Sequence, residues 1–407
     1  LARVLVVMTP AEGHVNPSLG LIKQLVENGE EIVYVCTEEY RTKIEQTGAQ
    51  LRTYTFFKDP DLKPIEFNHP YQFAHRMVSS IIQRIIPEVL RVIENESYDY
   101  LIFDSLMGWG GQIIAGRLGI PAVCSISSFV FVEPLGSGYE LEVSNEEVRE
   151  LYETTMKLTQ QLAARFDVEA PAMEDITGHP GQLKLVYTSR YFQPLAERLD
   201  DSFIFSGPSI VPRNDAPTFS YERLHTSYKQ TVYISMGTIL NRDIDFYKLC
   251  FTAFHDLPVQ FILSSGKQTN IEPLVDYIPD NFIVRPYLPQ LEVLQHVDAF
   301  LTHAGMNSTS EALYYNVPLV MLPLTSDQPL VARRVQELGA GVIVDKDNLT
   351  PEALRTALLE VLNNASYKQQ ACVIGETLRQ AGGYKQAAAA IMNFFADCRL
   401  SAIPSLD

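Results

Sequence analysis

The chain has 407 residues, 46% hydrophobic and 20% charged, and a formal net charge of −17 at neutral pH. That length exceeds what one core ordinarily organises, so two domains are expected, and the acidic balance argues against nucleic acid and anionic membranes, which reward a basic surface. It leaves room for a small phosphorylated ligand held by a local site.

Five cysteines (Cys36, Cys124, Cys250, Cys372, Cys398) stand far apart with no C-x-x-C pair. They read as core filler in a reducing, cytoplasmic compartment. No stretch approaches the roughly 18 apolar residues of a membrane span, and residues 1–8 read as a strand rather than a leader.

Strand and helix alternate along the chain. Arg3–Met8 is an apolar, β-branched run, and a helix is expected from about Pro17 to Asn28, stopped by Gly29. Strands follow at Glu31–Cys36 and Leu51–Phe57. Residues 71–97 carry helical spacing with a break near Pro87. Tyr100–Phe103 is a buried strand ending at Asp104. Helix 108–118, strand Pro121–Ile126, helix 145–166 and strands Leu183–Thr188 and Phe203–Phe205 come next.

Ser206–Pro217 holds three prolines and no periodicity, which marks a linker. The alternation then restarts, with strands at Thr231–Ser235, Val259–Leu263, Phe282–Val284, Ala299–Thr302, Pro318–Leu322 and Gly341–Val344, and a last helix at about 385–398. The expected division is a first domain over 1–207, a linker over 208–222, a second domain over 223–384 and a terminal segment over 385–407. Strands alternating with helices imply parallel sheets covered on both faces. Two such runs imply an α/β protein of two doubly wound domains facing a cleft.

Ligands of open parallel sheets bind beyond the carboxyl ends of the strands. Four such ends stand out: Thr9–Pro17, Asp104, Ser235–Thr238 and His303. The most telling is Thr302–Glu311, THAGMNSTSE. A strand ends, the chain turns at a glycine and a helix begins with small hydroxyl and amide side chains. Free N–H groups and the positive helix end favour a phosphate there. His303 and Ser308 can add donors. Glu311 is negative and suits a pair of sugar hydroxyls, such as a ribose.

His14, in the loop GHVNP, reads either as a polar residue near a helix start or as a general base. Asp104 reads either as a helix cap or as a carboxylate that orients His14 and stabilises its imidazolium. Tyr287 in PYLPQ is loop packing or a platform for a base. Asp327-Gln328 caps a helix or recognises hydroxyls. The D-x-D triplets Asp59/Asp61, Asp243/Asp245 and Asp345/Asp347 suit helix starts better than a metal site. G-x-G-x-x-G and P-loop motifs do not occur, which disfavours a dinucleotide oxidoreductase or P-loop NTPase.

Together PYLPQ, THAGMNSTSE and Asp327-Gln328 resemble the donor signature of family 1 UDP-sugar glycosyltransferases, and GHVNP with Tyr100–Asp104 matches the acceptor half. The resemblance spans nearly the whole chain and is closest to bacterial macrolide-type enzymes, including bacillus enzymes that glucosylate flavonoids. It implies a GT-B fold, with the last helix crossing back onto the first domain. It also implies an inverting, metal-independent transfer with no cofactor, the UDP-sugar (UDP-glucose in expectation) being a co-substrate. His14 matches the catalytic base and Asp104 its partner. Tyr287 falls where an aromatic stacks on uracil, and Leu288 and Gln290 in the loop that contacts uracil and ribose. His303, Gly305, Asn307 and Ser308 match the pyrophosphate contacts, joined by Thr238. Glu311 matches the ribose clamp, and Asp327 and Gln328 the donor-sugar contacts.

The expected acceptor is a small aromatic or macrocyclic alcohol, with Phe129, Phe131 and Tyr139 as walls of an apolar pocket or as core. A monomer or weak homodimer is expected. The competing readings are a GT-B nucleotide-sugar epimerase and a non-catalytic nucleotide-sugar binding protein.

Overall fold

In the computed structural model, residues 1–55, 70–132, 146–212, 219, 228–237, 243–267 and 269–401 are described. They fall into two compact units. The first holds residues 1–189 and 195–209 and resumes at Gly382; the second holds 190–194 and 210–381.

The first unit is a parallel sheet built from β1 (Arg3–Val7), β2 (Glu31–Cys36), β3 (Gln50–Thr53), β4 (Tyr100–Asp104), β5 (Ala122–Ile126), β6 (Leu183–Val186) and β7 (Phe203–Phe205), in the order β3-β2-β1-β4-β5-β6-β7. Its helices are α1 (Glu12–Glu27), α2 (Arg41–Glu45), α3 (Pro70–Arg76), α4 (Ile86–Val92), α5 (Trp109–Leu118) and α6 (Glu146–Phe166). The strands are apolar on both faces because helices cover both. Leu5, Val7, Leu101, Phe103 and Ile126 pack in one core, and Val4, Val6, Tyr100, Ile102 and Val123 in the other.

Two departures from expectation have local causes. Helix α1 starts five residues before Pro17 and carries that proline inside it. A proline within the first two turns removes a single i→i−4 bond, and the buried Val15, Leu21, Ile22 and Leu25 face holds the helix together across it. Between α3 and α4 the chain winds as a π-helix over Met77–Ile85, where a break near Pro87 was expected. Pro87 sits in the first turn of α4, next to the change from π to α winding at Ile86.

The second unit is a parallel sheet of β8 (Gln230–Ser235), β9 (Val259–Ser264), β10 (Phe282–Arg285), β11 (Ala299–Thr302), β12 (Leu319–Met321) and β13 (Gly341–Ile343), in the order β10-β9-β8-β11-β12-β13. Its helices are α7 (Ile244–Phe254), α8 (Gln290–Val293), α9 (Met306–Tyr314), α10 (Gln328–Glu337), α11 (Pro351–Asn363) and α12 (Ala365–Gln380). Residues 190–194 belong here, where the Arg334 guanidinium donates to the carbonyls of Tyr191 (2.9 Å) and Phe192 (3.1 Å).

Helix α13 (Gly383–Ser401) belongs to the first unit. Gly382 and Gly383 take φ of +85° and +65°, a conformation that favours glycine. The Gly383 N–H donates to Ser206 O at 2.7 Å. Ala387, Ala388, Ile391 and Phe395 then join the core beside α1, with Phe395 against Tyr100.

Both sheets reverse their strand order at one place, between β1 and β4 and between β8 and β11. Loops leaving those strands diverge, which opens a crevice at the carboxyl ends.

Candidate active site

In the first unit, three adjacent strand ends deliver three polar groups to one point. His14 lies in the first turn of α1, not in a loop, because the N–H groups of His14 and Val15 both donate to Ala11 O at 2.9 Å. Asp104 is the last residue of β4 and is 1% exposed. Its Oδ2 lies 2.8 Å from His14 Nδ1, and its Oδ1 accepts the Leu106 N–H at 2.7 Å. Asp104 therefore uses both oxygens: one caps the turn after β4, the other faces the imidazole. An acceptor-only carboxylate on Nδ1 selects the tautomer in which Nδ1 carries the hydrogen, so Nε2 holds the lone pair. Ser127, just past β5, places its Oγ 3.0 Å from the same Nδ1. Sequence reasoning missed it; the signal was a hydroxyl at the carboxyl end of the strand beside Asp104.

The expected pocket walls divide. Phe129 is buried, 1% exposed, and Phe131 is 64% exposed. Tyr139 lies outside the described residues, as do Thr238, Asp59 and Asp61.

In the second unit, β11 ends at Thr302 and His303 follows. The turn into α9 places Ala304 at φ +64°, so the left-handed residue is the alanine and not the glycine. Gly305 is needed for space instead. A Cβ there would stand 2.5 Å from His303 Nε2, and one at Gly237, after β8, 2.6 Å from His303 Cε1. The imidazole thus lies between two bare backbones. Burial holds its pKa down at about 4, with Asp327 pulling the other way. His303 is neutral near pH 7 and offers a hydrogen bond, not a charge.

Asn307 and Ser308 occupy the first turn of α9, and Glu311, 3% exposed, lies in the next. Gln290, at the start of α8 after β10, joins them: its Nε2 donates to Glu311 Oε2 at 2.6 Å and to Ser308 Oγ at 3.3 Å. Tyr287 is half-buried, with the Lys267 ammonium 3.9 Å from its ring centroid. Leu288 is buried in the core, so only its backbone can meet a ligand.

Asp327 opens α10 but makes no side-chain cap bond, which removes the capping explanation for it. Gln328 does structural work with one end: its Oε1 accepts from the Leu324 and Thr325 N–H groups at 2.9 and 3.1 Å. Asp243 and Asp345 cap the turns that follow them, accepting from Asp245 N and Asp347 N at 3.0 Å each. Among the described residues no group of three or more His, Cys, Asp or Glu side chains is arranged to hold a metal ion, and no helix is long and apolar enough to cross a membrane.

Residues 204–379 match the family model described as UDP-glucoronosyl and UDP-glucosyl transferase. The protein named uncharacterized UDP-glucosyltransferase YojK of Bacillus subtilis (strain 168) is 37% identical over 398 residues, 96% of this chain and 97% of its own length. The oleandomycin glycosyltransferase of Streptomyces antibioticus is 28% identical over 93% of this chain and 87% of its own. Among solved structures, the glycosyltransferase of kitacinnamycin superposes with a TM-score of 0.82 at 25% identity, covering 96% of this chain and 98% of that one. The chain belongs to the UDP-glucuronosyl and UDP-glucosyl transferase family, family 1 of the glycosyltransferases, and is a glycosyltransferase of GT-B fold.

Proposed function

We propose that this enzyme moves a hexose, glucose by preference, from its UDP-sugar to a hydroxyl of a small lipophilic natural product, a macrolide or a polyphenol such as a flavonoid, with inversion and without a metal. The observation that carries the reading is the His14–Asp104 contact of 2.8 Å at the carboxyl end of β4.

An alcohol is a poor nucleophile near neutral pH. His14 Nε2 takes its proton as the acceptor oxygen bonds to the anomeric carbon. The bond from that carbon to the UDP oxygen breaks in the same displacement, and the electron pair leaves with UDP. Attack from the face opposite the leaving group inverts the centre. Asp104 stabilises the imidazolium that forms, as the carboxylate of a triad does.

The leaving diphosphate gains charge in the transition state. The neutral His303 N–H, Ser308 and the N–H groups at the start of α9 answer it, an electrostatic role for preplaced donors. Glu311, held by Gln290, is suited to the ribose hydroxyls, Tyr287 to the uracil face, and Asp327 with the Gln328 amide to the sugar. The kitacinnamycin and oleandomycin enzymes, by name, serve natural products, which supports that acceptor class.

The test crosses UDP-glucose, UDP-galactose, UDP-glucuronic acid and UDP-N-acetylglucosamine with macrolides, flavonoids and steroids, read by mass spectrometry. The reading expects adducts of one hexose, most abundant with UDP-glucose. Turnover confined to UDP-glucuronic acid, or none with any lipophilic alcohol, would overturn it.

A further inference from the structure

Ser127 is a polar group beside His14 that the proposed chemistry leaves unused. Its Oγ stands 3.0 Å from His14 Nδ1, the same nitrogen that faces Asp104 Oδ2 at 2.8 Å. One ring nitrogen carries one hydrogen. A carboxylate oxygen can only accept, and Asp104 already accepts a backbone N–H at its other oxygen. The Nδ1 hydrogen therefore exists, and two oxygens share it. The serine acts here as an acceptor, and its own hydrogen points away from the ring.

We propose that Ser127 is a positioning residue for His14. One acceptor lets an imidazole swing about the axis through that bond; two acceptors on one N–H fix the ring plane and hence the direction of the Nε2 lone pair. Ser127 is buried and follows β5, whose Ser125 pairs in register with Asp104 of β4. The second acceptor also favours the protonated ring, because an imidazolium N–H is a stronger donor than a neutral one. Losing Ser127 then has two separable consequences: a less well aimed base, and an imidazolium that releases its proton at lower pH.

The inference rests on His14 being the base, and the experiment separates the two. Protein carrying 15N-labelled histidine is titrated by NMR with saturating UDP, as wild type, Ser127→Ala, Ser127→Thr and His14→Ala, the last assigning the His14 signals. The transfer rate of each is measured with UDP-glucose and the best acceptor of the panel.

We expect wild-type His14 in the Nδ1–H tautomer, a lower His14 pKa in Ser127→Ala by about half a unit, and kcat lower by roughly five- to tenfold at unchanged KM for UDP-glucose. Ser127→Thr restores both. A Ser127→Ala protein with wild-type His14 titration and kcat would overturn the role of Ser127 alone. Wild-type transfer by His14→Ala would overturn the base. Should Ser127→Ala fail to fold, Ser127→Cys takes its place: a lower His14 pKa and kcat support the role, wild-type values of both overturn it, and an Nε2–H ring in the wild type contradicts the shared-hydrogen geometry.

Discussion

Gln290 Nε2 donates to Glu311 Oε2 at 2.6 Å, tying the first residue of α8 to a buried carboxylate in the second turn of α9. Two helices that follow different strands are thereby tied together. A carboxylate placed this way has one oxygen occupied and the other turned to other partners.

Glu311→Ala removes the proposed ribose clamp and leaves the Gln290 amide only its longer contact with Ser308 Oγ. We expect UDP affinity to fall roughly 10- to 100-fold, the range for a hydrogen bond to a charged group, with acceptor KM nearly unchanged. Isothermal calorimetry with UDP measures it; an unaltered affinity would refute the ribose role.

Gly305 and Gly237 make room for the same imidazole by different means. Gly305 has ordinary backbone angles as the N-cap of α9, so Gly305→Ala displaces only the His303 ring. Gly237 sits at φ +76°, so Gly237→Ala adds backbone strain of about 1 kcal/mol. Both variants should bind UDP more weakly, and only Gly237→Ala should show the extra loss of stability in urea unfolding.

His303 and His179 are both held near 4 by burial. The folded protein keeps them neutral, while in the unfolded chain each takes a proton near pH 6.5. Stability that is complete above pH 6.5 is lost as pH falls toward 4, about 1–2 kcal/mol per histidine by pH 5. Denaturant unfolding at pH 7 and pH 5 should show His303→Gln losing less than wild type over that interval.

Cys36, Cys124 and Cys250 are buried, and burial raises all three thiols, Cys36 to about 12. Cys372 and Cys398 are partly exposed. A thiol reagent should modify two cysteines in the native protein and five after denaturation. Cys398 should be the slower of the two, since burial and Asp397 raise its pKa.

Much of this was legible in the sequence because strand ends in a parallel sheet are marked by composition. Apolar runs stop at Asp104, His303 and the chain before His14, and each stop is a place where polar side chains collect. What stayed hidden was tertiary. Whether Asp104 capped a turn or faced His14 depended on which strand lay beside β4, and it does both. Phe129 read equally as wall or core, and its burial appears only in the fold. Ser127 carried no motif, because a serine after a strand is common and its meaning comes from a histidine 113 residues away. Pro17 misled the placement of α1, because a buried helix face outweighed the rule that proline starts helices.

The transfer activity of His14→Ala, with UDP affinity measured on the same preparation, decides the account. Removing the base while leaving the nucleotide groups intact should lower kcat by about 10²–10⁴-fold and leave the UDP dissociation constant within twofold of wild type. A His14→Ala enzyme that transfers hexose at the wild-type rate would contradict it.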